Sequence, residues 1–150
     1  MNPPTKLFEQ LRRVTWIDAD PGGNLGFANL SRLAMDAIEE WFVVRLNAEW
    51  YQLSTQRGLG TPFVRVEFDL QSPATPLDTL AIEVSVTKVG RTSVSFRVIA
   101  RTEKEGRPCF EARFACVFVD HNASKSAEIP PDLRLLLDQE AVLAVSLNNP

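Results

Sequence analysis

From Leu30 onward the apolar residues recur with the period of a helix. Leu30, Leu33, Ala34, Ala37, Ile38, Trp41 and Phe42 occupy positions i, i+3, i+4, i+7, i+8, i+11 and i+12. Such a stripe describes a helix buried along one side, and the bulk of Trp41 and Phe42 puts it deep in the fold. Asn29 stands where a cap for its first turn is expected, and it suits a preceding turn equally well. Upstream, residues from about Phe8 to Trp16 read as a first strand.

After Gly58 and Gly60 the period changes to two. In "TPFVRVEFDLQS", Val64, Val66, Phe68 and Leu70 alternate with Arg65, Glu67 and Asp69, which gives one dry face and one wet face. "LAIEVSVTKV" repeats the pattern, with Leu80, Ile82, Val84 and Val86 set against Glu83, Ser85 and Thr87. "TSVSFRVIARTE" and "PCFEARFACVFVD" continue it as two further strands. The separators "SPATPLD", "VGRT" and "KEGRP" are rich in turn residues, and the last two are short enough for hairpins. A terminal helix, "DLRLLLDQEA", is expected after Pro130 and Pro131, with proline at its first turn.

This order predicts an α+β domain in which an antiparallel sheet of about five strands wraps one long central helix. There is no internal repeat or linker, so residues 1–150 read as one domain, with its core at about 7–135 and a C-terminal helix or tail after 130. A sheet this small must also manage its edges, and dimerisation is one way to do so.

Composition narrows the function classes. The formal charge of −3 is spread over interspersed acidic and basic residues, so no clustered basic face argues for nucleic acid. No stretch approaches the roughly 20 apolar residues of a membrane span, and "MNPPTKLFEQLRR" lacks the apolar core of a signal peptide. Cys109 and Cys116 lie seven apart in one strand, which strict alternation places on opposite faces. They read as two buried thiols in a reducing cytoplasm. With one histidine, His121, in a turn-like "VDHNAS", neither a zinc site nor a Ser-His-Asp arrangement is supplied.

What remains is the junction "VTWIDADPGGNLGFANLSRLAMDAIEEWF". Aspartates before Pro-Gly are ordinary turn chemistry, and acidic groups near a helix start are favoured by its dipole. The glycines are not a phosphate loop, since the Gly-Lys-Ser/Thr is missing. Carboxylate chemistry at a helix N-terminus is the one catalytic option left by elimination.

The same stretch resembles the signature of the 4-hydroxybenzoyl-CoA thioesterase family of the hotdog fold. Asp18, Asp20, Pro21, Gly23, Phe27 and Asn29 fall in its register. Gly60 to Pro62 resembles the family's Gly-Thr-Pro strand entry, and "VGRTSVSFRV" its basic turn and following strand. The similarity runs from about Arg12 to Leu133. It implies an acyl-CoA thioesterase in which Asp20 is the catalytic carboxylate and the Phe27 backbone N–H polarises the thioester carbonyl. Asp18 then reads as support for the turn. Gly26 and Thr61 are expected on the substrate, and Arg91, Thr92 and Lys125 at the coenzyme A phosphates.

The sequence departs from the family pattern at Gly26, Ala28 and Leu30, where bulkier residues, proline and aromatics are frequent. Those positions line the expected acyl pocket. The resemblance favours an aromatic, hydroxybenzoyl-like or naphthoyl-like acyl group and leaves aliphatic ones open. It implies no metal or redox cofactor beyond the coenzyme A of the substrate, and a homodimer or homotetramer with a shared site. The rival readings are a hotdog thioesterase serving a carrier protein and a non-catalytic acyl-binding module. A hotdog dehydratase is disfavoured, because those sites use histidine and His121 lies in the wrong segment.

Overall fold

In the computed structural model, which describes residues 2–148, β1 runs Phe8–Arg13 and stops short of the expected Trp16. The cause lies just downstream. The Asp18 carboxylate accepts the Thr15 N–H at 2.9 Å and the Thr15 hydroxyl at 2.7 Å. That reciprocal cap winds Trp16–Asp18 into a single tight turn. The long helix α1, Phe27–Leu46, begins three residues earlier than its apolar stripe, with Gly26 in the capping position. Asn29 is therefore not the cap. It lies in the first turn, and its amide reaches back to the carbonyls of Ile17 and Asp18 at 3.4 and 3.2 Å. All seven stripe residues are buried. The helix ends at Asn47, whose φ of 49° is the left-handed conformation that asparagine tolerates.

A second helix, α2, Trp50–Arg57, was not expected. Leu53 is its one buried residue, so it has no stripe to betray it. Gly58 stops it with a φ of 64°. Then follow β2 (Leu59–Gly60), β3 (Phe63–Leu70), β4 (Thr79–Val89), β5 (Ser93–Thr102), β6 (Pro108–Val117), β7 (Val119–Asp120), β8 (Lys125–Ser126) and α3 (Pro131–Asn148). The main sheet has the order β1-β4-β5-β6-β3 with every pair antiparallel, and β2-β7-β8 form a small second sheet. This is the α+β hotdog arrangement expected, extended by α2 and by a long α3.

The dry face of the sheet packs on α1. Leu80, Ile82, Val84 and Val86 from β4 and Val94, Phe96 and Val98 from β5 are all buried in one core with Trp41 and Phe42. Trp41 meets Phe96 edge-on at 5.1 Å between centroids. Leu133 and Leu137 bring α3 into the same core beside α1. No helix among the described residues is long and apolar enough to cross a membrane.

Two expectations from strict alternation need correction. In β3 the residues expected to be dry are open: Val64, Val66 and Leu70 are 63%, 46% and 62% exposed. Val66 lies opposite Phe114 and Leu70 opposite Phe110, so they share the helix side of the sheet. β3 is an edge strand, however, and α1 does not cover it. In β6, the pairing with β5 slips so that Arg101 faces Pro108 and Ala100 faces Phe110. Cys109 is the unpaired residue of that bulge, and its side chain turns to the helix side with Leu25 and Leu30 instead of the outer face. Both thiols are buried and unbridged, and seven residues of strand hold them about 20 Å apart.

Candidate active site

The Asp20–Gly23 turn is built to hold a carboxylate at the end of α1. Asp20 and Asn24 pair across it, N–H to carbonyl, at 2.7 Å, and the Gly23 N–H closes onto the Asp20 carbonyl at 2.9 Å. Pro21 presets the second position of the turn, and Gly23 takes the one positive φ, +81°, that the return requires. Within this frame the Asp20 Oδ1 accepts the N–H groups of Gly22 and Asn24 at 2.9 and 3.1 Å. Oδ2 has no protein partner among the described residues, and the side chain is exposed. One oxygen orients the group and the other is available.

Asp18, two residues earlier, is only 2% exposed. Burial opposes its charge, but the Thr15 donors and the Arg32 guanidinium, 3.0 Å away, outweigh that and hold its carboxyl below the usual aspartate range. All of its interactions are internal. It braces the turn against α1, as does Asn29.

Asp20 is set against the helix start with little clearance. A Cβ placed on Gly26 would lie 3.3 Å from the Asp20 Cβ, so the missing side chain is what lets the carboxylate approach. The first hydrogen bond within α1 is Leu30 N–H to Gly26 carbonyl, 2.8 Å. The N–H groups of Phe27, Ala28 and Asn29 are therefore the orphan donors of a helix N-terminus. They point outward at the positive end of the macrodipole. The Phe27 ring leans edge-on against Phe68, 5.3 Å between centroids, and stays 57% exposed.

The remaining expected residues sit elsewhere in the chain. Thr61 lines a cavity of about 500 Å³ with Met35, Trp50, Phe63 and His121, at the opposite end of β3. Thr92 accepts the Phe118 N–H on its carbonyl, and Lys125 stands opposite Asp120 in the small sheet. Arg91 is paired with Glu128 at 2.9 Å on the surface, both side chains being at least 70% exposed. These four occupy the Phe63 end of the molecule, whereas Asp20, Gly26 and Phe27 stand near Phe68. The five residue steps along β3 from Phe63 to Phe68 span about 17 Å. A single chain does not bring the two groups together.

His121 is exposed, as expected for a turn residue, and lies 3.2 Å from the Ser54 hydroxyl. Sequence reading missed Arg32 and Thr15, which fix Asp18. The Thr-x-x-Asp spacing of Thr15 and Asp18 is the signal that could have found the latter.

An antiparallel sheet wrapped on one long helix is the hotdog fold. The comparisons agree. Residues 14–137 match the model of the thioesterase-like superfamily, and the chain belongs to it. A thioesterase superfamily protein from Jannaschia sp. CCS1 is 35% identical, with a TM-score of 0.83 over 93% of this chain and 96% of that one. The 4-hydroxybenzoyl-CoA thioesterase from Pseudomonas sp. strain CBS-3 is 25% identical, with a TM-score of 0.78 over 86% and 97%. A 1,4-dihydroxy-2-naphthoyl-CoA thioesterase from Synechocystis shares the fold at 17% identity, with a TM-score of 0.82 over 89% and 96%. No curated protein sequence matches the chain.

Proposed function

We propose that the protein hydrolyses an acyl-CoA thioester to the free acid and coenzyme A, with Asp20 as the reacting carboxylate. The observation that carries this reading is the free Asp20 Oδ2 beside the open N–H donors that begin with Phe27. As the thioester carbonyl becomes tetrahedral its oxygen gathers negative charge, which a preorganised N–H at a positive helix end stabilises. Asp20 then acts by one of two routes. Its oxygen attacks the carbonyl carbon, the C–S bond breaks, and water opens the mixed anhydride. Alternatively it takes a proton from water, which attacks directly, and passes that proton to the departing thiolate as the C–S bond breaks. Both routes return the carboxylate.

We further propose that the working form is at least a homodimer joined through β3. Its free edge and the exposed Val66 and Leu70 need cover. Two copies of an edge strand related by a two-fold axis pair antiparallel. The Phe63 end of one copy then lies against the Leu70 end of the other. Thr61, Thr92, Arg91 and Lys125 would thus approach the Asp20 of the partner, with the cations turned to the coenzyme A phosphates. Both unbridged thiols suit a reducing compartment such as the cytoplasm.

The test is release of free thiol from a panel of aromatic and aliphatic acyl-CoAs. The expected result is hydrolysis of at least one member by the parent and its loss in Asp20→Asn. A parent inert towards every acyl-CoA, yet binding them, would instead mark a non-catalytic acyl-binding module.

A further inference from the structure

At least three cavities flank the helices. One, of about 440 Å³, lies between the N-terminal segment, Arg45 and Glu140, and a second is the Thr61 cavity described above. The third, of about 260 Å³, is lined by Leu25, Leu30, Leu70, Pro73, Ala74 and Cys109. Only the third adjoins the Asp20 corner within the chain. Leu25 directly precedes Gly26, and the Leu30 N–H bonds the Gly26 carbonyl, so the cavity opens beneath the residues whose N–H groups face a bound carbonyl. Leu25 N–H is itself tied to the Ala74 carbonyl at 2.7 Å, which joins the far wall to the same turn.

The lining says what fits. Its walls are hydrocarbon and the Cys109 sulfur, and burial pushes the Cys109 thiol up from its ordinary value, as an apolar environment does. The one polar side chain among the half-buried or buried lining residues is Ser72. Its hydroxyl donates to the Pro108 carbonyl and accepts from Arg107, both at 2.6 Å. Arg107 also donates to the Pro73 carbonyl at 2.7 Å. Gln71 completes the lining but is exposed, at the solvent side. A hydroxyl carried deep into this cavity would lose its hydration, and the one half-buried polar side chain there, Ser72, already makes two hydrogen bonds and keeps a single lone pair. An apolar cavity of about 150 Å³ already accepts benzene, so this one has room for a ring with a few attached carbons.

We infer that this cavity is the acyl pocket and that it selects an apolar acyl group of ring or medium-chain size, an unsubstituted aroyl or a chain of about six carbons, over acetyl, hydroxyaroyl and long-chain acyl groups. The inference rests on the thioesterase reading and names the substrate class of the same site. The polar group of the substrate is the thioester carbonyl, held at Phe27 N–H, and the acyl group beyond it meets a mainly apolar lining.

The experiment compares kcat/KM for acetyl-, hexanoyl-, benzoyl-, 4-hydroxybenzoyl- and palmitoyl-CoA in the parent, Ala74→Leu and Cys109→Ala, with melts to check folding. Benzoyl- and hexanoyl-CoA are expected to exceed the other three. Ala74→Leu fills the cavity and should move the hexanoyl-to-acetyl ratio towards acetyl by about tenfold or more, the scale of a methylene misfit. Cys109→Ala enlarges it and should favour acyl groups longer than hexanoyl; it carries the test alone if Ala74→Leu does not fold. Ratios unchanged within about threefold in the folded variants, well short of that scale, would overturn the pocket assignment, as would a preference for 4-hydroxybenzoyl over benzoyl. Asp20-dependent hydrolysis with an unmoved profile overturns the pocket alone. No hydrolysis of any thioester overturns the enzymatic reading and the pocket with it.

Discussion

Asp18 and Asp20 are two residues apart and have opposite surroundings. Asp18 is enclosed by Thr15 and Arg32, while Asp20 keeps one oxygen in solvent. The difference can be measured in stability. The folded state holds Asp18 below the ordinary aspartate value, so its contribution is fully present above about pH 4. It is lost as pH falls through the lower folded value. Asp18→Asn removes that acid limb and should cost about 1.5–3 kcal/mol, the range for hydrogen bonds to a charged group. Chemical denaturation of the variant between pH 3 and 7 checks it, and an unchanged acid limb would contradict the role given to Asp18. Both aspartates were legible as a turn-and-helix junction, but Asp18's supporting role came from the family resemblance and not from the spacing of residues. It depends on Arg32, fourteen residues away from Asp18, and on Asn29, which is one turn too deep to cap. Sequence spacing does not reveal which way those side chains reach back.

At the scale of elements, the periodic parts were the readable parts. The stripe of α1 and the alternation of β4, β5 and β6 correspond to continuous burial against one core, which is what a period records. α2 was invisible because it buries only Leu53, and the Cys109 bulge because strict alternation has no place for an extra residue. β3 was read correctly as a strand with an apolar face, although the chain covers that face only in part, at Phe68, and leaves Val66 and Leu70 open. The end of α3 raises a separate expectation. Glu140 is 3% exposed and 3.4 Å from Arg45. Burial is the leading influence on its carboxyl and pushes it up, with Arg45 and Trp41 opposing. An acid whose folded value is raised binds its proton more tightly in the folded state. Stability from this group is therefore greatest at or below the ordinary glutamate value and falls as pH rises through the raised one. Glu140→Gln should flatten that part of the profile, read from melting temperatures between pH 4 and 8, whatever its constant offset from the loss of the Arg45 charge pair. A decline with pH as steep as the parent's would remove Glu140 as its source.

For the whole molecule, the separation of Asp20 from Thr61, Arg91, Thr92 and Lys125 along β3 makes assembly part of the proposed chemistry. Val66→Lys places a charge in the proposed two-fold contact, where an unpaired buried charge is strongly unfavourable. Light scattering should show smaller particles than the parent, with a matching fall in turnover. A parent that is monomeric at micromolar concentration and fully active would contradict the shared site. Removing the cation of Arg91 or Lys125 by alanine should raise KM and weaken its salt dependence more than it lowers kcat. All of this presupposes that the Asp20 oxygen reacts. The most direct measurement is single-turnover hydrolysis of the best panel substrate by Asp20→Asn and Asp18→Asn, with melts and light scattering on both. Asparagine keeps the turn's hydrogen-bond geometry but not the charge. Asp20→Asn should therefore fold, assemble and bind substrate while losing about 10²–10⁴-fold in rate, the range for a positioned acid–base group, and Asp18→Asn should lose far less. If Asp20→Asn stays within about threefold of the parent, well below that range, the reacting carboxylate is not Asp20.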